Sequence, residues 1–178
     1  MYSPERYVAA MRFAAAKHNA QKEPGHDLPY LVHVVSVAAE VIAVLPVSRV
    51  ADPDLAVCCA LLHDTVEDTG TSLDEIRERF GSGVADGVSA LTKDVQLPKA
   101  EQMGDSLRRI RGQPAEIAMV KLADRITNLS EPPHYWSVEK RVAYRAEAGT
   151  IVDALGAANA ALEARLRARI ESYRQFCV

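Results

Sequence analysis

A chain of 178 residues, 48% of them hydrophobic, can bury a sizeable core, and one domain over 1–178 is the simplest organisation. A formal charge of -3 offers no general attraction to nucleic acid or to an anionic membrane, so neither is expected as a partner. Three cysteines are too few for a secreted disulfide framework, MYSPERYVAAMRF carries charge where a signal peptide needs an apolar run, and no stretch approaches the ~20 apolar residues of a bilayer span, so a soluble cytoplasmic protein is expected.

The elements read as helices joined by punctuated loops. Ser3 caps a helix that starts at Pro4 and runs to about Ala20. QKEPGHDLP is a loop, because two prolines and a glycine interrupt any period. A second helix covers about Tyr30 to Leu45. A third starts near Asp52-Pro53, carries LAVCCALLHDTVED and breaks at Gly70. Thr71 or Ser72 caps SLDEIRERF, which Gly81 stops. Further helices are predicted over 83–92, 98–110, 114–129, 136–155 and 157–174, with Glu131-Pro132-Pro133 as a turn. AVCCALL and VKLA are short apolar runs whose flanks continue the helical period, so they read as buried helix. The fold class is therefore all-α, a bundle of about eight to ten helices. Leu162, Leu166, Ile170 and Tyr173 form an apolar stripe on the last helix, read as core packing, with a homo-oligomer contact as the alternative.

His63-Asp64 is the feature with the most chemistry in it. An aspartate inside the apolar run ALLHDTV costs several kcal/mol to bury unless it is paired or metal-bound. Adjacent residues cannot share one narrow stripe of a helix, but an edge-on helix lets both side chains reach one ion. His33, after PYLV, and Asp124, inside VKLADRITNL, complete a set of two nitrogens and two oxygens. That mixture suits an intermediate divalent ion such as Mn2+, and less strongly iron or zinc. The competing reading of Asp124 is a salt bridge to Lys121 or Arg125.

Glu67 lies one turn after His63, and Asp68 one turn after Asp64. Both can reach the metal edge to orient a water or accept its proton. Carboxylates at the C-terminal end of a helix oppose its dipole, which favours a functional reason over a solvated acidic face. Asn128, one turn after Asp124, can orient a phosphate or a ribose hydroxyl, or cap its helix. Lys22, Tyr30 and Lys99 are further candidates for substrate contact. Together these residues point to a metal-dependent phosphohydrolase.

FAAAKHNAQ, PYLVH, ALLHDTVEDT, FG, ALTKD followed by LPK, VKLADRITNL and a downstream W–EKR–Y pattern occur in this order. Over residues 5–155 the chain resembles the HD-domain alarmone hydrolases, the hydrolase half of the stringent-response synthetase/hydrolases, and especially their small stand-alone relatives. The resemblance implies a bundle of about ten helices with manganese held by His33, His63, Asp64 and Asp124. It implies water activation and substrate positioning by Glu67 and Asp68. It narrows the reaction to release of pyrophosphate from the 3′ position of ppGpp or pppGpp, leaving GDP or GTP. The partner is then a guanosine polyphosphate or a related small nucleotide.

Two segments depart from the family pattern. Relatives place consecutive basic residues after the glutamine that matches Gln21. Here Lys22 keeps the charge and Glu23 reverses it. After LPK, Ala100, Glu101, Gln102 and Met103 replace much of the relatives' basic character. A phosphohydrolase acting on another nucleotide, or a catalytically weak nucleotide-sensing module, is the alternative these departures leave open.

Overall fold

In the computed structural model, which describes residues 1–178, the chain folds into ten α-helices and two 3-10 turns with no β-sheet. The all-α expectation holds. No helix is long and apolar enough to cross a membrane.

Local chemistry sets most boundaries. α1 (Pro4–Lys17) begins as expected, with the Ser3 side chain accepting from the Arg6 N–H and Pro4 in the first turn. It ends three residues short of Ala20. There the Gln21 N–H turns back onto the His18 carbonyl at 2.9 Å, tightening the exit. α2 (Leu31–Val44) follows Tyr30. α3 (Pro53–Leu62) is capped by Asp52, whose carboxylate accepts from the Leu55 N–H at 2.9 Å.

All eight residues from Leu55 to Leu62 are buried, so α3 is the central rod of the bundle. It packs against α1, α2, α6 (Ser82–Leu91) and α8 (Ala115–Asn128). A helix that is apolar all round belongs in such a position. α5 (Leu73–Phe80) is capped by Ser72 and stopped at Gly81, whose φ of 94° suits a residue without Cβ. α7 (Lys99–Arg111) and α9 (Val138–Leu155) flank α8. The last helix, α10 (Ala160–Ser172), starts three residues later than its apolar period suggests. Asn159 caps it by accepting from the Ala161 and Leu162 N–H groups. Leu162, Leu166 and Tyr173 are buried, so the stripe packs inward.

The third helix departs most from its predicted course. It is broken at His63-Asp64, and a five-residue turn of helix, α4 (Thr65–Thr69), restarts beyond. Asp64 sits at φ -99°, ψ -4°, off the helical values. Side chains take over the carbonyls released at the break. His63 Nδ1 bonds the Ala60 carbonyl at 2.9 Å, and the Thr65 hydroxyl donates to that of Leu62 at 2.7 Å. The break lets two adjacent residues aim at one point.

A second tie holds α3 in place. Glu116, buried in the first turn of α8, accepts from the Ala51 and Asp52 N–H groups at 2.9 Å each through one oxygen. Glu116→Ala removes both bonds and leaves two donors without a partner. It should cost about 2–3 kcal/mol, as for hydrogen bonds to a charged group. Glu116→Gln keeps the accepting oxygen and should cost about 1 kcal/mol or less. Urea midpoints of the two variants check the difference.

Candidate metal centre and its cleft

Three helices deliver the polar groups. His33 lies in the first turn of α2, His63 and Asp64 at the break after α3, and Asp124 in the last turns of α8. The ligand atoms of His33, His63 and Asp64 all lie within 4.8 Å of one another. Asp64 Oδ2 stands 3.0 Å from His63 Nε2 and 3.6 Å from His33 Nε2. Asp124 Oδ1 faces the same centre, 3.6 Å from His33 Nε2 and 3.7 Å from His63 Nε2.

The residues fit a divalent cation. Both Nε2 atoms are buried and have no hydrogen-bond partner. His63 Nδ1 is spent on the Ala60 carbonyl, which can only accept, so its proton is on Nδ1 and the Nε2 lone pair faces the centre. Burial opposes a proton on His63, yet the carboxylates of Asp64 and Asp124 outweigh it and raise its pKa well above the ordinary value. Burial acts to raise the pKa of Asp64, and the charge of His63 overrides this and holds it well below the usual range. Burial likewise works against ionised Asp124, and the Lys121 ammonium overrides it. The field thus favours positive charge between the four side chains. The His/His/Asp cluster is a divalent-metal site.

Neighbours hold the ligands in place. The Tyr30 hydroxyl donates to Asp64 Oδ2 at 2.5 Å. Burial, then the charge of Asp64, pushes the Tyr30 pKa up, which keeps the hydroxyl a donor. Lys121 donates to Asp124 Oδ2 at 3.0 Å, and Asn128 Nδ2 to Oδ1 at 2.5 Å. The salt bridge weighed as a rival to metal ligation is therefore present on one oxygen, while the other faces the imidazoles. Arg125 turns away to Glu147 at 2.5 Å and lies 4.2 Å from the centre of the Tyr144 ring.

Two adjacent cavities open beside the centre. One of about 190 Å³ contains His63, Asp64, Glu67, Asp68, Asp124 and Lys93 in its wall. Five carboxylates line it against three cations, a balance a divalent ion would correct. The other, of about 520 Å³, runs past His33 to Trp136, His26 and Arg169. Tyr30, Asn128 and Tyr144 line both. The smaller cavity thus takes in His63, Asp64 and Asp124 of the centre, and the larger one is its annex.

Glu67 and Asp68 both reach the small cavity. Glu67 is held by Lys93, whose backbone N–H and ammonium each donate to one carboxylate oxygen at 3.0 Å. Asp68 accepts from Gln21 Nε2 at 2.8 Å. The residue is exposed at the cavity edge, yet partial desolvation, then the charges of Asp64 and Glu67, raises its pKa while the Gln21 bond opposes the rise.

Lys22 and Lys99 are not brought to either cavity. The Lys22 ammonium pairs with Asp27 across its own loop at 2.7 Å, and Lys99 is exposed at the start of α7. Sequence reasoning passed over Gln21 as a support of Asp68, and Arg169 on the last helix. Gln21 lies inside FAAAKHNAQ, so it had a signal. Arg169 had none, since only packing brings α10 to this wall.

Residues 10–160 match the HD domain family. The chain is 32% identical over 171 residues to the Drosophila melanogaster guanosine-3′,5′-bis(diphosphate) 3′-pyrophosphohydrolase MESH1, covering 93% of each chain. It is 34% identical to the Homo sapiens protein of the same name, covering 90% of each. Its fold superposes with a TM-score of 0.84, at 28% identity and 97% coverage of each chain, on the solved structure of a metazoan ortholog of SpoT that hydrolyzes ppGpp. With two imidazoles and an aspartate meeting where HD-domain helices cross, and with likeness along nearly its whole length, the chain belongs to the HD-domain family, in its MESH1-type branch.

Proposed function

We propose that this protein hydrolyses the 3′-diphosphate of ppGpp or pppGpp, yielding GDP or GTP and pyrophosphate. The observation that carries the reading is the convergence of His33, His63 and Asp64, two of which, His63 and Asp64, line one cavity with the pair Glu67 and Asp68. Asp124 is proposed as the fourth ligand and Mn2+ as the ion, because two imidazoles and two carboxylates are a donor set of intermediate hardness. Bound there, such an ion supplies positive charge that polarises a phosphoryl oxygen and acidifies water.

The chain's own groups do the rest. A water oxygen bonds to the phosphorus next to the ribose, the bond to the 3′ oxygen breaks, and pyrophosphate leaves while the ribose oxygen takes up a proton. Asp68 is the proposed acceptor of the water's proton: its raised pKa suits a base, and Gln21 occupies only one of its oxygens. Glu67, pinned by Lys93, orients the water, and the Lys93 ammonium faces the phosphate. Tyr30 fixes Asp64 and lines the passage to the larger cavity, whose 520 Å³ suits a nucleoside. Asn128 steadies Asp124 and presents its carbonyl to the ribose. For Lys22 to reach a phosphate, its ammonium must leave Asp27.

One observation favours a second reading, a phosphohydrolase of another nucleotide. The larger cavity is lined by Glu23, Glu40 and Glu131 against the single guanidinium of Arg169, a poor match for a second diphosphate. Incubation of the purified protein and manganese with ppGpp, resolved by anion exchange, decides between them. GDP and pyrophosphate are the expected products. An inert ppGpp beside turnover of other nucleotides would establish the second reading.

Asp64→Ala should abolish retention of manganese in equilibrium dialysis and lower turnover by at least about 100-fold, since even partners of metal ligands reach that scale. Asp68→Asn should leave manganese retention unchanged and lower kcat by about 10² to 10⁴. The wild-type rate needs Asp68 ionised. At saturating metal, kcat should therefore fall as pH drops and Asp68 takes up its proton, and Asp68→Asn should lose that limb.

A further inference from the structure

The end of α1 carries a histidine that the proposed chemistry does not use. His18 is 2% exposed and has no partner on Nε2. Its Nδ1 lies 2.7 Å from Gln21 Oε1. Gln21 Nε2 in turn donates to Asp68 Oδ2 at 2.8 Å. The His18 ring also stacks on Tyr30 with centroids 4.9 Å apart, and Tyr30 holds Asp64.

Hydrogen-bond direction permits one wiring. Ionised Asp68 can only accept, so the amide of Gln21 must turn its NH2 group toward it. The amide oxygen then faces His18, which must carry its proton on Nδ1 to donate. A proton on Nε2 instead would set two lone pairs against each other at 2.7 Å. The backbone runs along the same path. The His18 N–H bonds the Ala14 carbonyl, the Gln21 N–H bonds that of His18, and the Tyr30 N–H bonds that of Gln21, each at 2.9 Å. The imidazole is thus anchored to α1 and locked under the loop that carries both of its clients.

We infer that His18 and Gln21 form a positioning relay, in which the Nδ1 proton of His18 fixes the Gln21 amide so that it holds Asp68 toward the reacting water. The inference rests on the reading of Asp68 as proton acceptor. Neither residue lines either cavity. Their contribution belongs in kcat, because they orient a base rather than bind the nucleotide.

The chemistry of amides supplies a discriminating pair of substitutions. The Asn side-chain nitrogen occupies the place of histidine Nδ1, and that of Gln the place of Nε2. Gln21→Ala and His18→Gln should each lower kcat for pyrophosphate release about tenfold, with KM within about twofold and manganese retention unchanged. His18→Asn should keep kcat within about threefold of wild type. Equal loss in His18→Asn and His18→Gln would reduce His18 to a space-filler and overturn the relay. So would a rise in KM without a fall in kcat. Nitrogen-15 spectra of the wild-type imidazoles give a readout free of turnover and of variant folding: the relay requires a proton on His18 Nδ1 at neutral pH, and a neutral ring protonated on Nε2 alone refutes it. Absence of any pyrophosphate release by the wild type would overturn the functional reading instead, and the spectrum would still decide the wiring.

Discussion

Two carboxylates held ionised against two imidazoles, inside an apolar bundle, are the constraint on which the rest depends. Asp124 is 6% exposed and the two histidines less than 10%. Charges in such a medium persist only when other groups compensate them. The surrounding sequence supplies that compensation piece by piece. Lys121 and Asn128 each take one oxygen of Asp124, Tyr30 takes Asp64, and the Ala60 carbonyl fixes the tautomer of His63. What remains unsatisfied is the space between the ligand atoms, where the field calls for a cation.

The helical scaffold is shaped to that requirement. A continuous helix through His63-Asp64 would splay the pair about 100° apart, as 3.6 residues per turn demand. The break after Leu62 removes the difficulty, and its own cost is low because side chains bond the freed carbonyls. α3 can be apolar from Leu55 to Leu62, since all of these residues are buried and the polar pair follows only at the break. The loop after α1 is pressed onto the turn after α8. A Cβ on Gly25 would meet the Pro133 Cα at 2.9 Å, so glycine is required for that approach. This closure builds the wall of the larger cavity.

The division of the cleft bears on selectivity. The small chamber holds His63, Asp64, Glu67 and Asp68, and the annex beyond Tyr30, Asn128 and Tyr144 is acidic except for Arg169. Glu23 stands in the annex wall, and Lys22 folds back on Asp27. Under the proposed function, the far end of the nucleotide would meet a wall that neither Lys22 nor Lys99 lines.

Legibility followed the range of the interactions. Caps and breakers act over three or four residues, so Ser3, Asp52, Ser72 and Gly81 marked their boundaries in the sequence alone. The HD pair, His33 and Asp124 were legible because burying such groups without purpose is too costly for an apolar helix. The break at His63-Asp64 was not, because no proline or glycine marks it and the apolar period runs on to Val66.

By itself the sequence determined the all-α class, the helix caps and the polar groups that must meet, since each of these is set by local hydrogen bonding or by the cost of burial. Only the tertiary structure decided that the third helix is broken at the dipeptide, that Lys22 and Lys99 stay outside the cavity walls and that α10 delivers Arg169 to the annex. These outcomes depend on where side chains from distant helices find their partners, and no residue carries that information in its neighbours along the chain.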